Sequence, residues 1–89
     1  MIRIHAIIHG RVQAVGFRYF AYHLAKQYEL TGWVKNLYDG TVEMEIQGDS
    51  KTIETFLTAL RKGNGFSSIS AIDVDQIQLL ERERKFVIL

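Results

Sequence analysis

The 89 residues contain no cysteine. That excludes disulfides, thiolate metal sites and a cysteine nucleophile together, and it leaves the redox compartment open. No apolar run approaches membrane-spanning length. Met1-Ile2-Arg3-Ile4-His5 does not open an apolar leader ahead of a small-residue cleavage site. A soluble, cytoplasmic protein with no membrane contact is therefore expected. An excess of one charge is also missing: 11 basic and 10 acidic residues are interspersed and leave a formal net charge of +1. Binding nucleic acid through its phosphates calls for a basic patch or stripe, so nucleic acid is not an expected partner. What is present is ordinary for a globular chain, with 47% hydrophobic and 24% charged residues. The length predicts a single domain over residues 1–89, small enough that its core must pack economically.

Hydrophobic periodicity switches along the chain. Ile2, Ile4, Ala6 and Ile8 alternate with Arg3, His5, Ile7 and His9 until Gly10, the period of a half-buried strand. Phe17, Phe20, Ala21, Leu24, Ala25 and Tyr28 then fall on one helical stripe. Thr31 to Tyr38 and Thr41 to Gln47 are strand-like runs joined by Asp39-Gly40, a dipeptide suited to tight hairpin turns in which both central residues take positive φ. Asp49 or Ser50 can cap a second helix with a stripe of Ile53, Phe56, Leu57 and Leu60, ended by Gly63-Asn64-Gly65. Ile72, Val74, Ile77, Leu79 and Leu80 predict a fourth strand, with a bulge near Asp75-Gln76 where the alternation slips. Phe86 to Leu89 reads as a short edge strand.

The order β-α-β-β-α-β predicts an α+β, ferredoxin-like sandwich: an antiparallel sheet, two helices on one face, and a short extra C-terminal strand. This architecture hosts enzymes, regulatory domains and binding modules alike, so function has to come from a site.

One stretch carries a candidate site. His9-Gly10-Arg11-Val12-Gln13-Ala14-Val15-Gly16-Phe17-Arg18-Tyr19-Phe20 places glycines and an arginine between a strand end and a helix start. It fits neither nucleotide template. The P-loop pattern needs four residues between its glycines and a Lys-Ser/Thr pair, whereas five residues separate Gly10 from Gly16 and Phe17-Arg18 follows. The dinucleotide fingerprint is absent, and a phosphatase loop built on cysteine fails because Val12 stands at the nucleophile position. What remains is a helix start whose orphan amides carry partial positive charge, with a guanidinium in the first turn, where an anion can sit. On spacing alone the stretch is equally a tight glycine turn with a surface arginine.

Three ordered motifs break that tie. Gly10-Arg11-Val12-Gln13-Ala14-Val15-Gly16-Phe17-Arg18-Tyr19-Phe20, then Gly32-Trp33-Val34-Lys35-Asn36, then Asp39-Gly40-Thr41-Val42-Glu43 together resemble the acylphosphatase family, from the first strand to the end of the chain. The resemblance implies a βαββαβ enzyme that hydrolyses the carboxyl-phosphate bond of small-molecule acyl phosphates without metal or cofactor. It implies that Arg18 is the catalytic arginine, holding the phosphoryl group with the loop amides of Gln13, Ala14, Val15, Gly16, Phe17 and Arg18, and that Asn36 positions the attacking water. Inorganic phosphate or sulfate would be a ligand of the same loop, and the protein a monomer. Two positions depart from the family pattern. Ala14 replaces the middle glycine of G-R-V-Q-G-V-G-F-R; if φ is positive there, alanine costs on the order of 1 kcal/mol. The segment from Gly63 to Ser68 lacks the proline frequent after the second helix, which is read as a matter of loop stiffness.

The chemistry agrees with so sparse a set of residues. The leaving group of an acyl phosphate is a carboxylate with a pKa of about 4, which departs without protonation. No general acid or Lewis acid is then required, and holding phosphoryl oxygens while placing one water in line is enough. A planar guanidinium matches phosphate oxygens in pairs, and an asparagine amide both donates and accepts.

Other polar residues read as surface or scaffold. His5 and His9 share a strand face roughly 13 Å apart, too far for one metal ion. His23 lies off the helical stripe and reads as solvated. Trp33, Phe17, Phe20 and Phe56 read as core. Glu43 and Glu45 point outward, residues 81–85 form a solvated turn, and Thr41 could orient Asn36 across the hairpin. An RNA-binding module of the same element order is the rival, because Val15 to Phe20 superficially echoes an RNA-recognition motif; here, however, the aromatics begin a helix. A non-catalytic ligand-binding domain is the second alternative.

Overall fold

The computed structural model describes residues 1–89. Seven elements follow in order: β1 (Ile2–Arg11), α1 (Phe17–Gln27), β2 (Thr31–Asn36), β3 (Val42–Gly48), α2 (Ser50–Lys62), β4 (Ser68–Ile77) and β5 (Phe86–Ile88). They form one five-stranded sheet in the order β4-β1-β3-β2-β5. The expected ferredoxin-like α+β sandwich is present, with one correction. β1, β2, β3 and β4 pair antiparallel, but β5 runs parallel to β2, so the sheet is mixed.

Alternation along β1 explains the layering. Ile4, Ala6 and Ile8 point into the core with Val34, Val42, Met44 and Ile46 of β2 and β3. Phe17, Ala21 and Ala25 of α1 and Ile53, Phe56 and Leu60 of α2 cover the same face. The opposite face carries no helix. Trp33 lies there half-exposed, with Lys35 Nζ 5.7 Å from its ring centre, so it is not the core residue expected. Successive strand residues alternate faces, and Val34 takes the inward position.

Arg3 is buried on that open face, where Nε donates to Glu45 at 2.8 Å and Nη1 to Glu83 at 2.7 Å. Burial alone would lower the Arg3 pKa, but its bonds to Glu83 and Glu45 outweigh that and raise it. The segment 81–85 is therefore not merely a solvated turn: Glu83 anchors it to the sheet. Glu43 is likewise engaged, with His5 Nε2 at 2.7 Å.

Two turn expectations change. The β2–β3 connection is not a two-residue turn with both central residues at positive φ. Leu37 N–H bonds Thr41 O at 2.9 Å across a three-residue loop, and within it only Gly40 has positive φ (92°). A turn followed by one left-handed glycine is the next most common hairpin closure. The β1–β4 register slips between His9 and Gly10, skipping Ser70, while Asp75 and Gln76 pair regularly with His5 and Ile4. Leu79 and Leu80 lie beyond β4 and are exposed. No helix is long and apolar enough to cross a membrane.

Candidate active site

The segment after β1 leads into α1 through Gly16, the N-cap, at φ 76° in the left-handed region. A glycine there makes the turn without a Cβ penalty, but it brings no side chain to cap the helix. None of the backbone amides from Gln13 to Tyr19 donates to an acceptor within the protein. Backbone donors of this kind require a partner, so the loop is left to solvent or to an anion. The first turn of α1 carries no acidic residue.

Five residues of this stretch, Ala14, Gly16, Phe17, Arg18 and Tyr19, line a hollow of about 90 Å³ together with Val12 and Asn36. The expected site residues Ala14, Gly16, Phe17, Arg18 and Asn36 thus meet at one place. Gln13 and Val15 lie on the same loop, but their side chains turn elsewhere, Gln13 to the β2–β3 turn and Val15 against the core. Val12 and Tyr19 complete the lining. The largest hollow of the molecule, about 420 Å³, lies between the end of α1 and the start of β5. It gathers Lys26, Arg84 and Lys85 but none of the free loop amides.

Arg18 is positioned by the end of the chain. Its Nη1 donates to Leu89 O at 3.0 Å, and Leu89 N–H is fixed on Val34 O at 2.8 Å. The guanidinium has five N–H donors, so one such bond orients the fork and leaves most of it for a ligand. Asn36 ends β2, and its Oδ1 is buried without a hydrogen-bond partner, one of only two buried side-chain polar atoms in that condition. An unsatisfied buried acceptor costs about 1–3 kcal/mol, which makes it a strong place for a donor such as water.

The hairpin carrying Asn36 is clamped to the loop. Gln13 Nε2 donates to Leu37 O at 2.7 Å and to Thr41 O at 2.8 Å. The Thr41 hydroxyl does not reach Asn36 as expected; it donates to Asp39 at 2.6 Å, alongside the Thr41 amide at 2.9 Å. Those two bonds hold the Asp39 carboxyl below the usual carboxylate range.

Ala14 has φ 60°. The alanine therefore sits in the left-handed region, at a usual cost of about 1–2 kcal/mol. The 63–68 segment does more than stiffen a loop. Asn64 Nδ2 donates to Val15 O at 2.9 Å, a contact to the site that nothing in the local pattern of a Gly-Asn-Gly turn announced. Phe17 and Phe20 lie on α1, with Phe17 buried in the core and Phe20 packed against it, so these aromatics begin a helix and do not lie on a central strand face as in an RNA-recognition motif.

A sequence model of the acylphosphatase family matches residues 4–88. The chain belongs to the acylphosphatase family. An acylphosphatase of Clostridium beijerinckii is 49% identical over 88 residues, covering 99% of this chain and 98% of that one. One from Geobacillus thermodenitrificans is 46% identical over 89 residues, covering 100% and 95%. The crystal structure of acylphosphatase from Bacillus subtilis superposes with a TM-score of 0.94 at 39% identity, covering 100% of this chain and 99% of that one. Likeness over the full length on both sides carries the activity with it: this acylphosphatase-family chain is a hydrolase of acyl phosphates.

Proposed function

We propose that Arg18 and the amides of Gln13 to Arg18 hold the phosphoryl group of a small acyl phosphate, and that Asn36 orients the water that attacks phosphorus. Attack opposite the acyl oxygen makes one P–O bond and breaks the other, releasing a carboxylate and inorganic phosphate. The water's proton leaves to solvent or to the phosphate formed. The observation that carries this reading is the convergence, around one small hollow, of free amides, a guanidinium and an unpartnered Asn36 Oδ1.

Electrostatic holding suffices because a carboxylate leaving group, with a pKa of about 4, needs no acid. The lining offers Arg18 as its one cationic side chain and Asn36 as its one amide side chain, and the roles are given to these and to the backbone. Phosphate, the product, and sulfate fit the same cradle and act as ligands of it. In this reading the enzyme works as a cytoplasmic monomer.

The test is hydrolysis of benzoyl phosphate in EDTA beside p-nitrophenyl phosphate. Benzoyl phosphate is expected to be cleaved at an undiminished rate with inorganic phosphate competing, while the monoester, whose leaving group is far more basic, is spared. Strict dependence on added Mg²⁺ or Zn²⁺ would overturn the mechanism.

A further inference from the structure

We infer that Asn64, in the turn after α2, is a positioning residue of the phosphate cradle: it fixes the peptide plane between Val15 and Gly16 so that the Gly16 amide stays aimed away from it, on the anion's side. The inference rests on the cradle reading above. Asn64 Nδ2 donates to Val15 O at 2.9 Å, and a Cβ built on Gly16 would stand 3.7 Å from the same nitrogen. Asn64 is itself held rigidly, because its Oδ1 accepts from Phe66 N–H at 3.0 Å and Ser67 N–H at 2.9 Å. The side chain is thus a strut between two loops 49 positions apart in the chain.

The physical need for a strut comes from Gly16. A trans peptide is planar, with its C=O and N–H pointing in opposite directions, so pinning Val15 O on one side sends Gly16 N–H to the other. Gly16 lines the hollow beside Ala14. A peptide plane that precedes glycine turns over easily, because the flip changes mainly ψ of the first residue and φ of the glycine, and glycine accepts either sign of φ. After a flip the Val15 carbonyl oxygen would replace an N–H donor at the anion, turning an attractive dipole into a repulsive one. The hydrogen bond from Asn64 has to break before that flip can occur. No other hydrogen bond from a side chain reaches the backbone of residues 13–17.

The decisive variant is Asn64→Ser, in which a short neutral hydroxyl can still accept from Ser67 N–H but cannot reach Val15 O. Asn64→Thr is the reserve should the serine variant fold poorly. Losing one such bond predicts that the inhibition constant for inorganic phosphate and the KM for benzoyl phosphate rise together, about three- to tenfold. kcat is expected to stay within about twofold, since the single Gly16 amide holds a phosphoryl oxygen in the bound substrate and in the transition state alike, while Arg18 is untouched. The lost contact lowers Tm by no more than about 8 °C. Arg18→Ala is measured alongside. Loss of phosphate inhibition in Arg18→Ala with an unchanged inhibition constant in the Asn64 variants would overturn the role of Asn64 alone. Unchanged phosphate inhibition in all of them would overturn the cradle reading with it.

Discussion

α1 and α2 cover the same face of the sheet, with 11 and 13 residues, yet they begin in opposite ways. α2 starts at Asp49, whose carboxylate accepts from the amides of Lys51 and Thr52. α1 starts at a left-handed glycine with no side-chain cap, and its first amides have no acceptor in the protein. A basic residue is not what separates the two, because Lys51 stands in the first turn of α2 as Arg18 does in α1. The cap separates them. A helix start satisfied by its own side chain is finished as structure, whereas one left open keeps its partial positive charge for an external anion. The β2 end then brings Asn36 to the open start.

Removing the charge at the open start is the strongest way to break this contrast. Arg18→Ala is expected to lower kcat/KM for benzoyl phosphate by about 10³ or more, in line with arginines that stabilise transferring phosphoryl groups. Its far-ultraviolet circular dichroism should match the parent, because the Arg18 side chain is only half-buried and makes its one hydrogen bond to Leu89. Asn36→Ala acts on the water instead. A misplaced nucleophile costs about 10² in kcat, while phosphate inhibition should stay within about twofold.

The closed start gives the control. Asp49→Ala should remove about 1 kcal/mol of cap stabilisation, a Tm drop of about 4–8 °C, with kcat and KM unchanged. The smallest effect is expected at Ala14. Relief of its left-handed strain exceeds the entropy that glycine adds to the unfolded chain, so Ala14→Gly should raise Tm by a few degrees at equal or tighter phosphate inhibition. A lower Tm with unchanged kinetics would mean that the loop accommodates alanine without strain.

Much of this was legible before the structure, for identifiable reasons. Element types followed from periodicity: the stripe from Phe17 to Ala25 and the alternation of Ile4, Ala6 and Ile8 each point at one core. Arg18 and Asn36 could be named because ordered motifs carried them. The departure at Ala14 could be turned into a question about one dihedral angle, and φ 60° answers it. What escaped depended on partners distant in the chain. Glu83 reaches Arg3 across 80 positions and Asn64 reaches Val15 across 49, and no local pattern encodes such pairs. Trp33 misled because an aromatic in a strand suggests core, while the face it occupies is decided by Val34 beside it. The parallel pairing of β5 was hidden because strand direction leaves no trace in a three-residue run.

The contrast between the two helix starts is tested most directly by titrating inorganic phosphate into ¹⁵N-labelled protein containing EDTA and following the backbone amides. On that contrast, saturable shifts are expected at Ala14 through Arg18 and at the Asn36 side-chain amide, with none at Lys51 and Thr52 and with all of them lost in Arg18→Ala. Shifts confined to the hollow around Lys26, Arg84 and Lys85, or equal shifts at both helix starts, would contradict it.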